Sequence, residues 1–70
     1  MKSMDHQAVV IHVRHGTYTL WLSLEGREVE IAYRPPSADE ASVLEASLRQ
    51  NMPIVVTVES GIFIRGVRPK

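Results

Sequence analysis

Three stretches of alternating apolar residues, separated by two dipeptides that end in glycine, constrain this chain more than any other feature. The stretches cover residues 7–14, 17–24 and 27–33, and the dipeptides are His15-Gly16 and Glu25-Gly26. Alternation with a period of two is typical of strands that bury one face. A two-residue loop with glycine in second place is typical of a hairpin. The sequence therefore predicts a three-stranded antiparallel meander.

The registers of the two predicted hairpins support each other. If both loops are two residues long, every inward apolar residue of the middle strand has an inward partner on each side. A slip by one residue would turn a whole set to the other face. The predicted opposite pairs are Val13–Tyr18, Ile11–Leu20, Val9–Leu22, Leu22–Val29, Leu20–Ile31 and Tyr18–Tyr33.

A helix follows the meander. Pro35-Pro36 ends the third strand, because proline cannot donate to a strand ladder. Ser37 and Glu40 have the spacing of a capping box, in which each side chain bonds the backbone amide of the other residue. Asn51 is suited to a left-handed cap, and Pro53 prevents continuation of the helix.

The last segment predicts a second hairpin, over residues 54–58 and 62–67. A three-residue loop, Glu59-Ser60-Gly61 with Gly61 left-handed, is compatible with the apolar pattern on both sides. It places Val58 opposite Ile62 and Val56 opposite Ile64. The residues predicted to face outward together are Val55, Thr57, Phe63 and Arg65.

The element order β-β-β-α-β-β indicates an α+β, mainly β, domain over residues 7–70, preceded by a flexible tail at 1–6. We expect a small five-stranded antiparallel barrel or curled sheet with the strand order of the OB-fold. The alternative is an open sheet with the helix on one face and the second hairpin extending it. The predicted core comprises Val9, Ile11, Val13, Leu20, Leu22, Val29, Ile31, Leu44, Leu48, Val56, Val58 and Ile64.

Composition narrows the functional classes. The chain has 70 residues, no cysteine, and 8 basic against 8 acidic residues. Disulfides and cysteine-based zinc sites are therefore excluded. No apolar run reaches the ~20 residues of a membrane helix, so we expect a cytoplasmic protein with no membrane contact. His6, His12 and His15 lack the spacing of a metal site, and no nucleophile stands in a catalytic motif. We expect no metal, no cofactor and no enzymatic activity.

Trp21 is the residue that most suggests a function, because it falls on the polar face of the second strand. Large aromatic side chains are enriched in binding hot spots. His12, Arg14 and Thr19 share this face. Since aromatic residues stack on bases and cations follow the phosphate backbone, single-stranded nucleic acid is one candidate ligand. Further candidate binding residues near the end of the sequence are Phe63, Arg65 and Arg68.

Two alternatives remain open from the sequence. The outward apolar residues also fit a protein partner, a homodimer or a subunit of a larger assembly; they are Val10, Trp21, Val55 and Phe63. Trp21 could instead be covered within the chain, by residues 1–6 or by the segment after Val67. The predicted function is thus a non-catalytic binding module whose partner is nucleic acid or protein.

Overall fold

The computed structural model describes residues 3–60 and 63–70 and contains one sheet and one helix. The strands pair with antiparallel neighbours in the order β3-β2-β1-β4-β5. The predicted order of elements and the mainly β class are confirmed. The elements are β1 (Ser3–Arg14), β2 (Thr17–Leu24), β3 (Arg27–Tyr33), α1 (Ala38–Gln50), β4 (Ile54–Glu59) and β5 (Phe63–Pro69).

The sheet is open. In the described part of the chain β3 and β5 each pair with a neighbour on one side only, so the barrel is not confirmed. The arrangement is the predicted alternative, in which the second hairpin extends the sheet through β4. Helix α1 contacts β1, β4 and β5 and covers one face, which we call the inner face. The opposite side of the sheet is the outer face.

Both predicted two-residue loops form. His15 and Gly16 have φ of 52° and 78°, and Glu25 and Gly26 have φ of 51° and 78°. Consecutive positive φ values are those of the type I′ turn, whose twist matches that of the flanking strands. The predicted pairs between β2 and β3 are all confirmed.

The register between β1 and β2 is correct only next to the loop. Val13 lies opposite Tyr18, but a bulge between Val10 and His12 shifts the rest of the strand. Val10, rather than Ile11, lies opposite Leu20, and Ala8 takes the place predicted for Val9. The extra residue turns Ile11 outward, since a bulge reverses the alternation on one strand.

Ser47 of α1 fixes β1 beside this bulge. The ladder between β1 and β4 ends at Ala8 and Ile54, so Val10 has no strand partner on that side. The amide of Val10 donates instead to Ser47 Oγ at 3.3 Å, and Ser47 Oγ donates to the carbonyl of Met52 at 2.6 Å. Ser47 is itself buried. One hydroxyl thus satisfies a backbone amide of β1 and a backbone carbonyl of the connection between α1 and β4.

The core lies between the inner face and α1. The predictions of Val9 and Ile11 as core residues are wrong, because the bulge replaces them with Ala8 and Val10. Several predicted residues line the core while remaining partly exposed, namely Val13, Val29, Ile31, Leu48 and Ile64. The buried apolar residues are Ala8, Val10, Tyr18, Leu20, Leu22, Leu44, Ile54, Val56, Val58 and Val67.

The first described residues extend β1 where a flexible tail was expected. Ser3–Ala8 pairs with Ile54–Glu59 of β4. Met4 and Ala8 lie on the same side of this segment, with His6 between them, and polar residues occupy the other side. This is a weak period-two signal that the sequence analysis did not use. β1 is therefore the central strand, and its two halves pair with different neighbours.

The hairpin of β4 and β5 has a register different from the predicted one. Val58 lies opposite Ile64 and Val56 opposite Val67, with an irregularity that leaves Arg65 without an opposite residue. The predicted three-residue loop assumes a regular ladder on both strands, so it did not include this second bulge. Gly61 and Ile62, to which that prediction assigned a left-handed turn and a pairing position, lie outside the described residues.

Two hydroxyls attach α1 to the strands of the meander. Tyr18 Oη donates to Glu45 Oε2 at 3.1 Å, and the hydroxyl of Tyr33 donates to Glu40 Oε1. Burial, reinforced by these carboxylates, raises the pKa of both tyrosines above its usual value. Glu40 is therefore used by Tyr33 rather than by the amide of Ser37 as the capping box predicted.

The serine half of the capping box is present and supports a prediction. Ser37 is extended, and its Oγ accepts from the amide of Glu40 at 3.3 Å. Replacing Ser37 with alanine should lower the free energy of unfolding by about 0.5–2 kcal/mol, since this amide loses its partner. Urea denaturation checks this, and Ser37→Asp, which retains a capping oxygen, should stay near the wild type. Equal losses in the two variants would contradict the capping role.

Candidate binding face

The outer face of β1 and β2 is the surface on which the predicted ligand residues can be judged. Trp21 lies between Val9 of β1 and Glu30 of β3, and 42% of its surface is exposed. Ile11, placed outward by the bulge, is 47% exposed. This face therefore combines an exposed indole with exposed aliphatic surface. We call Val9, Ile11 and Trp21 the apolar patch.

The polar candidates lie on one side of the apolar patch. His12 is opposite Thr19, and Arg14 is opposite Thr17 at the end of the hairpin. Thr19 is two residues from Trp21 on the same strand, so its side chain shares the face of Trp21. The structure thus brings Trp21, His12, Arg14 and Thr19 to one face, as the alternation predicted. Val10, which was predicted to face outward, is buried, and Val9 occupies the outer face in its place.

The candidates on β5 belong to a different surface. Phe63, Arg65 and Arg68 are separated from β2 by the two intervening strands β1 and β4. At the usual spacing of paired strands this separation is about 14 Å. Phe63 is 75% exposed and lies opposite Glu59. The seven predicted residues therefore form two groups rather than one site.

The two arginines of β5 are engaged within the chain. Arg65 Nη1 lies 2.5 Å from Glu59 Oε2, and Arg68 Nη2 lies 2.6 Å from Asp5 Oδ2. Thr57 Oγ1 also donates to Asp5 Oδ1 at 2.8 Å. The bond from Arg68, with that from Thr57, holds the pKa of Asp5 below its usual value. These cations are neutralised locally, which weakens the case for an anion site on β5.

Charges of opposite sign lie on the two sides of Trp21 on the outer face. Arg14 forms no ion pair with any residue in the described ranges. On the other side, Glu30 lies directly opposite Trp21 and Glu28 lies opposite Ser23. The patch therefore has a cation at the hairpin end of β1 and carboxylates along β3. A uniformly negative ligand would meet repulsion on the β3 side.

Val9 and Ile11 are the outer-face residues that the sequence analysis missed. The run Ala8-Val9-Val10-Ile11 is apolar at every position, so alternation cannot decide which members face outward. The run itself was the available sign of a bulge, because it allows either of two neighbouring residues to face the core. The helix hydroxyl that selects this arrangement comes from a distant part of the chain.

No described segment folds over Trp21 in the manner of the intramolecular alternative. Residues 3–6 belong to β1 and pair with β4, while residues 67–69 belong to β5 at the far edge. Both segments are held in the sheet by their own ladders. In the described part of the folded single chain, Trp21 therefore remains exposed to solvent.

Metal-binding clusters, membrane-spanning helices and pockets are the other features that can mark a functional site. Among the described residues, no group of three or more His, Cys, Asp or Glu side chains could hold a metal ion. None of the described helical segments combines the length and apolar character that a bilayer crossing requires. A shallow depression of about 500 Å³ follows one face of α1 and includes none of the predicted ligand residues. It is lined by Ala38, Ala41, Ser42, Glu45, Ala46, Arg49 and Gln50.

Comparison with known proteins supplies no family for this chain. No protein-family model matches the sequence, and neither a curated protein nor a solved structure shows significant similarity to it. The chemistry of the outer face is therefore the basis for assigning a function.

Proposed function

We propose that this chain is a non-catalytic binding module that holds another protein against the outer face of β1 and β2, with Trp21 at the centre of the contact. The partner covers the apolar patch of Val9, Ile11 and Trp21. Large aromatic residues surrounded by smaller apolar ones are the usual anchors of protein interfaces.

The observation that carries this proposal is the exposure of Trp21, which lies opposite Val9, and of Ile11 at the bulge, both on a face that α1 does not cover. Ile11 faces outward only because β1 contains a bulge beside it. Bulges are often found where a strand must re-aim a side chain, including next to functional sites. Two large apolar side chains left in water by the same fold favour a partner that removes them from it.

The charges around the patch define the chemistry of that partner. Glu28 and Glu30 on β3 favour basic side chains opposite them, whereas Arg14 favours an acidic one at the other end. A protein surface can present both signs, whereas a nucleic acid presents only negative charge. Rim charges of this kind act mainly on association rate and orientation.

Single-stranded nucleic acid is the second candidate, favoured by Arg14, which forms no ion pair within the described residues, and by His12, which shares the face of Trp21. The element order β-β-β-α-β-β is the one expected of an OB-fold, although the sheet is open here, and OB-folds bind oligonucleotides on their second and third strands. In this candidate Trp21 stacks on a base, and Arg14 contacts phosphate. Phe63, Arg65 and Arg68 would then form a separate contact rather than continue the same one.

The test of the protein proposal compares Trp21→Ala with Met52→Ala, a control that removes an exposed apolar side chain outside the sheet. A partner captured by the wild type should be retained by the control and lost by Trp21→Ala. With the purified partner, we expect a loss of affinity of about 2 kcal/mol or more, roughly thirtyfold. Both variants should keep the wild-type circular dichroism spectrum.

The dependence of binding on salt concentration distinguishes a protein partner from a nucleic acid. Titration of a fluorescent single-stranded oligonucleotide should show no binding at low salt, or binding unaffected by Trp21→Ala. Tight binding that needs Trp21 and Arg14 and falls steeply with salt would replace the protein partner with nucleic acid. Two results together would reject the outer face as a site. Trp21→Ala would retain every captured partner, and the fluorescence emission of Trp21 in a dilute solution of the wild type would be that of a buried indole.

A further inference from the structure

The two free edges of the sheet differ in how they are protected against pairing. β5 carries an irregularity at Arg65 and ends at Pro69, and both features obstruct the addition of another strand. β3 has neither, and it pairs with β2 without irregularity from Arg27 to Tyr33. The β3 edge is therefore the one suited to receive a strand.

The inner row of β3 is also incompletely covered. Val29, Ile31 and Tyr33 pack against the core yet remain half-buried, because α1 lies mainly over β1, β4 and β5. On β2 their neighbours Leu20 and Leu22 are almost fully buried. A strand added beyond β3 would extend this apolar row and remove more of it from water.

The loop defines which backbone groups of β3 are available. In a hairpin with a two-residue loop the pair next to the loop, Leu24 and Arg27, is hydrogen-bonded, and the pairs then alternate. The amides and carbonyls of Val29 and Ile31 therefore point to β2. Those of Glu28, Glu30 and Ala32 point to the free edge.

We propose that two copies of this chain pair through their β3 edges, antiparallel about a two-fold axis at Ile31. Ile31 then lies opposite Ile31 of the second copy, and Val29 lies opposite Tyr33. On the outer face Glu30 meets Ala32, and Glu28 meets Arg34. Each contact away from the axis occurs twice, as an isologous interface requires.

Charge and overlap together select this register over its neighbours. Moving the axis to Glu30 places two carboxylates opposite each other, and moving it to Val29 places Glu28 opposite Glu30 twice. Moving it to Ala32 avoids like charges, with Glu30 opposite Arg34, but reduces the overlap within β3 from residues 29–33 to residues 31–33. The axis at Ile31 combines an opposite-charge pair with the longer overlap and no like-charge contact. Pro35 also favours an extended Arg34, as the pairing needs.

This inference is independent of the proposed function, because it uses the edge of the sheet rather than the outer face of β1 and β2. It has one consequence for that face. Two apolar patches would lie on the same side of a continuous sheet, with β3 of each copy between them. A partner with two matching contacts would then bind both patches at once.

A charge-swap series measured by sedimentation velocity tests the pairing. The wild type should show a dimer that dissociates on dilution. Arg34→Glu and Glu28→Arg should each weaken dimerisation at least about tenfold, since each places like charges together twice. The double variant should restore it. Arg49→Glu on α1 is the matched control, and Trp21→Ala should leave dimerisation unchanged.

Amide exchange of the wild type gives a readout that does not depend on the variants folding. The amides of Glu28, Glu30 and Ala32 should be protected in concentrated solution and should lose that protection on dilution. The amides of Val29 and Ile31 should stay protected in both. The proposal is overturned if the concentrated wild type sediments as a monomer, if either single swap dimerises as tightly as the wild type, or if the double swap fails to recover.

Discussion

Replacing Leu20 with alanine should lower the free energy of unfolding by about 2–5 kcal/mol, a large share of the stability of so small a domain. Leu20 is fully buried and lies between Val10 of β1 and Ile31 of β3. Its removal would leave a cavity where the meander packs most closely. Thermal and urea denaturation, followed by circular dichroism, measure the loss.

Ile11→Ala is the matched control for Leu20→Ala, and it tests the bulge at the same time. Because Ile11 is exposed, its truncation should cost within about 1 kcal/mol. In a regular strand Ile11 would lie opposite Leu20 in the core, and the two variants would lose similar stability. Similar losses for Ile11→Ala and Leu20→Ala would therefore contradict the observed register.

Ser47→Ala should also be strongly destabilising, although it removes a single oxygen. The amide of Val10 and the carbonyl of Met52 both lose their partner. The Val10 bond is buried, where an unsatisfied group costs about 1–3 kcal/mol, whereas the Met52 bond is only partly buried and adds less. The higher helix propensity of alanine offsets only a few tenths of a kcal/mol. Urea denaturation measures the total loss in the free energy of unfolding. Faster hydrogen exchange of the Val10 amide would show that the loss arises at this bond.

Ser42→Ala is the control for this variant, because Ser42 is exposed on the same helix. It should be neutral or slightly stabilising. If Ser47→Ala were as stable as Ser42→Ala, the hydroxyl would not hold β1 to the α1–β4 connection, and another cause would be needed for the bulge.

The parts of the fold that sequence reasoning recovered are those determined by local chemistry. His15-Gly16 and Glu25-Gly26 specify their turns through positive φ, and the register of β2 with β3 follows from clear alternation. Ser37 and Asn51 terminate α1 at the expected positions. These signals lie within a few residues of the structure that they determine.

The parts that failed depend on contacts between distant segments. The bulge beside Ile11 is supported by Ser47, and the pairing of residues 3–6 requires β4 to be in place. The register of β5 depends on an irregularity at Arg65, and the only local sign of it is the neighbouring strand glycine Gly66, which the predicted register did not use. For the candidate face, alternation correctly placed Trp21 and His12, but the aliphatic half of the patch followed the missed bulge.

The division of β1 between two neighbours has a consequence for the order of folding. Its second half pairs with β2 across a short loop, so the meander can form from local contacts alone. Its first half pairs with β4, which is separated from it in sequence by β2, β3 and α1. Closing that long loop costs chain entropy before any contact repays it. We therefore expect the meander to form first and the docking of β4 to limit the rate, so that during this interval the first half of β1 is an unpaired edge available for aggregation.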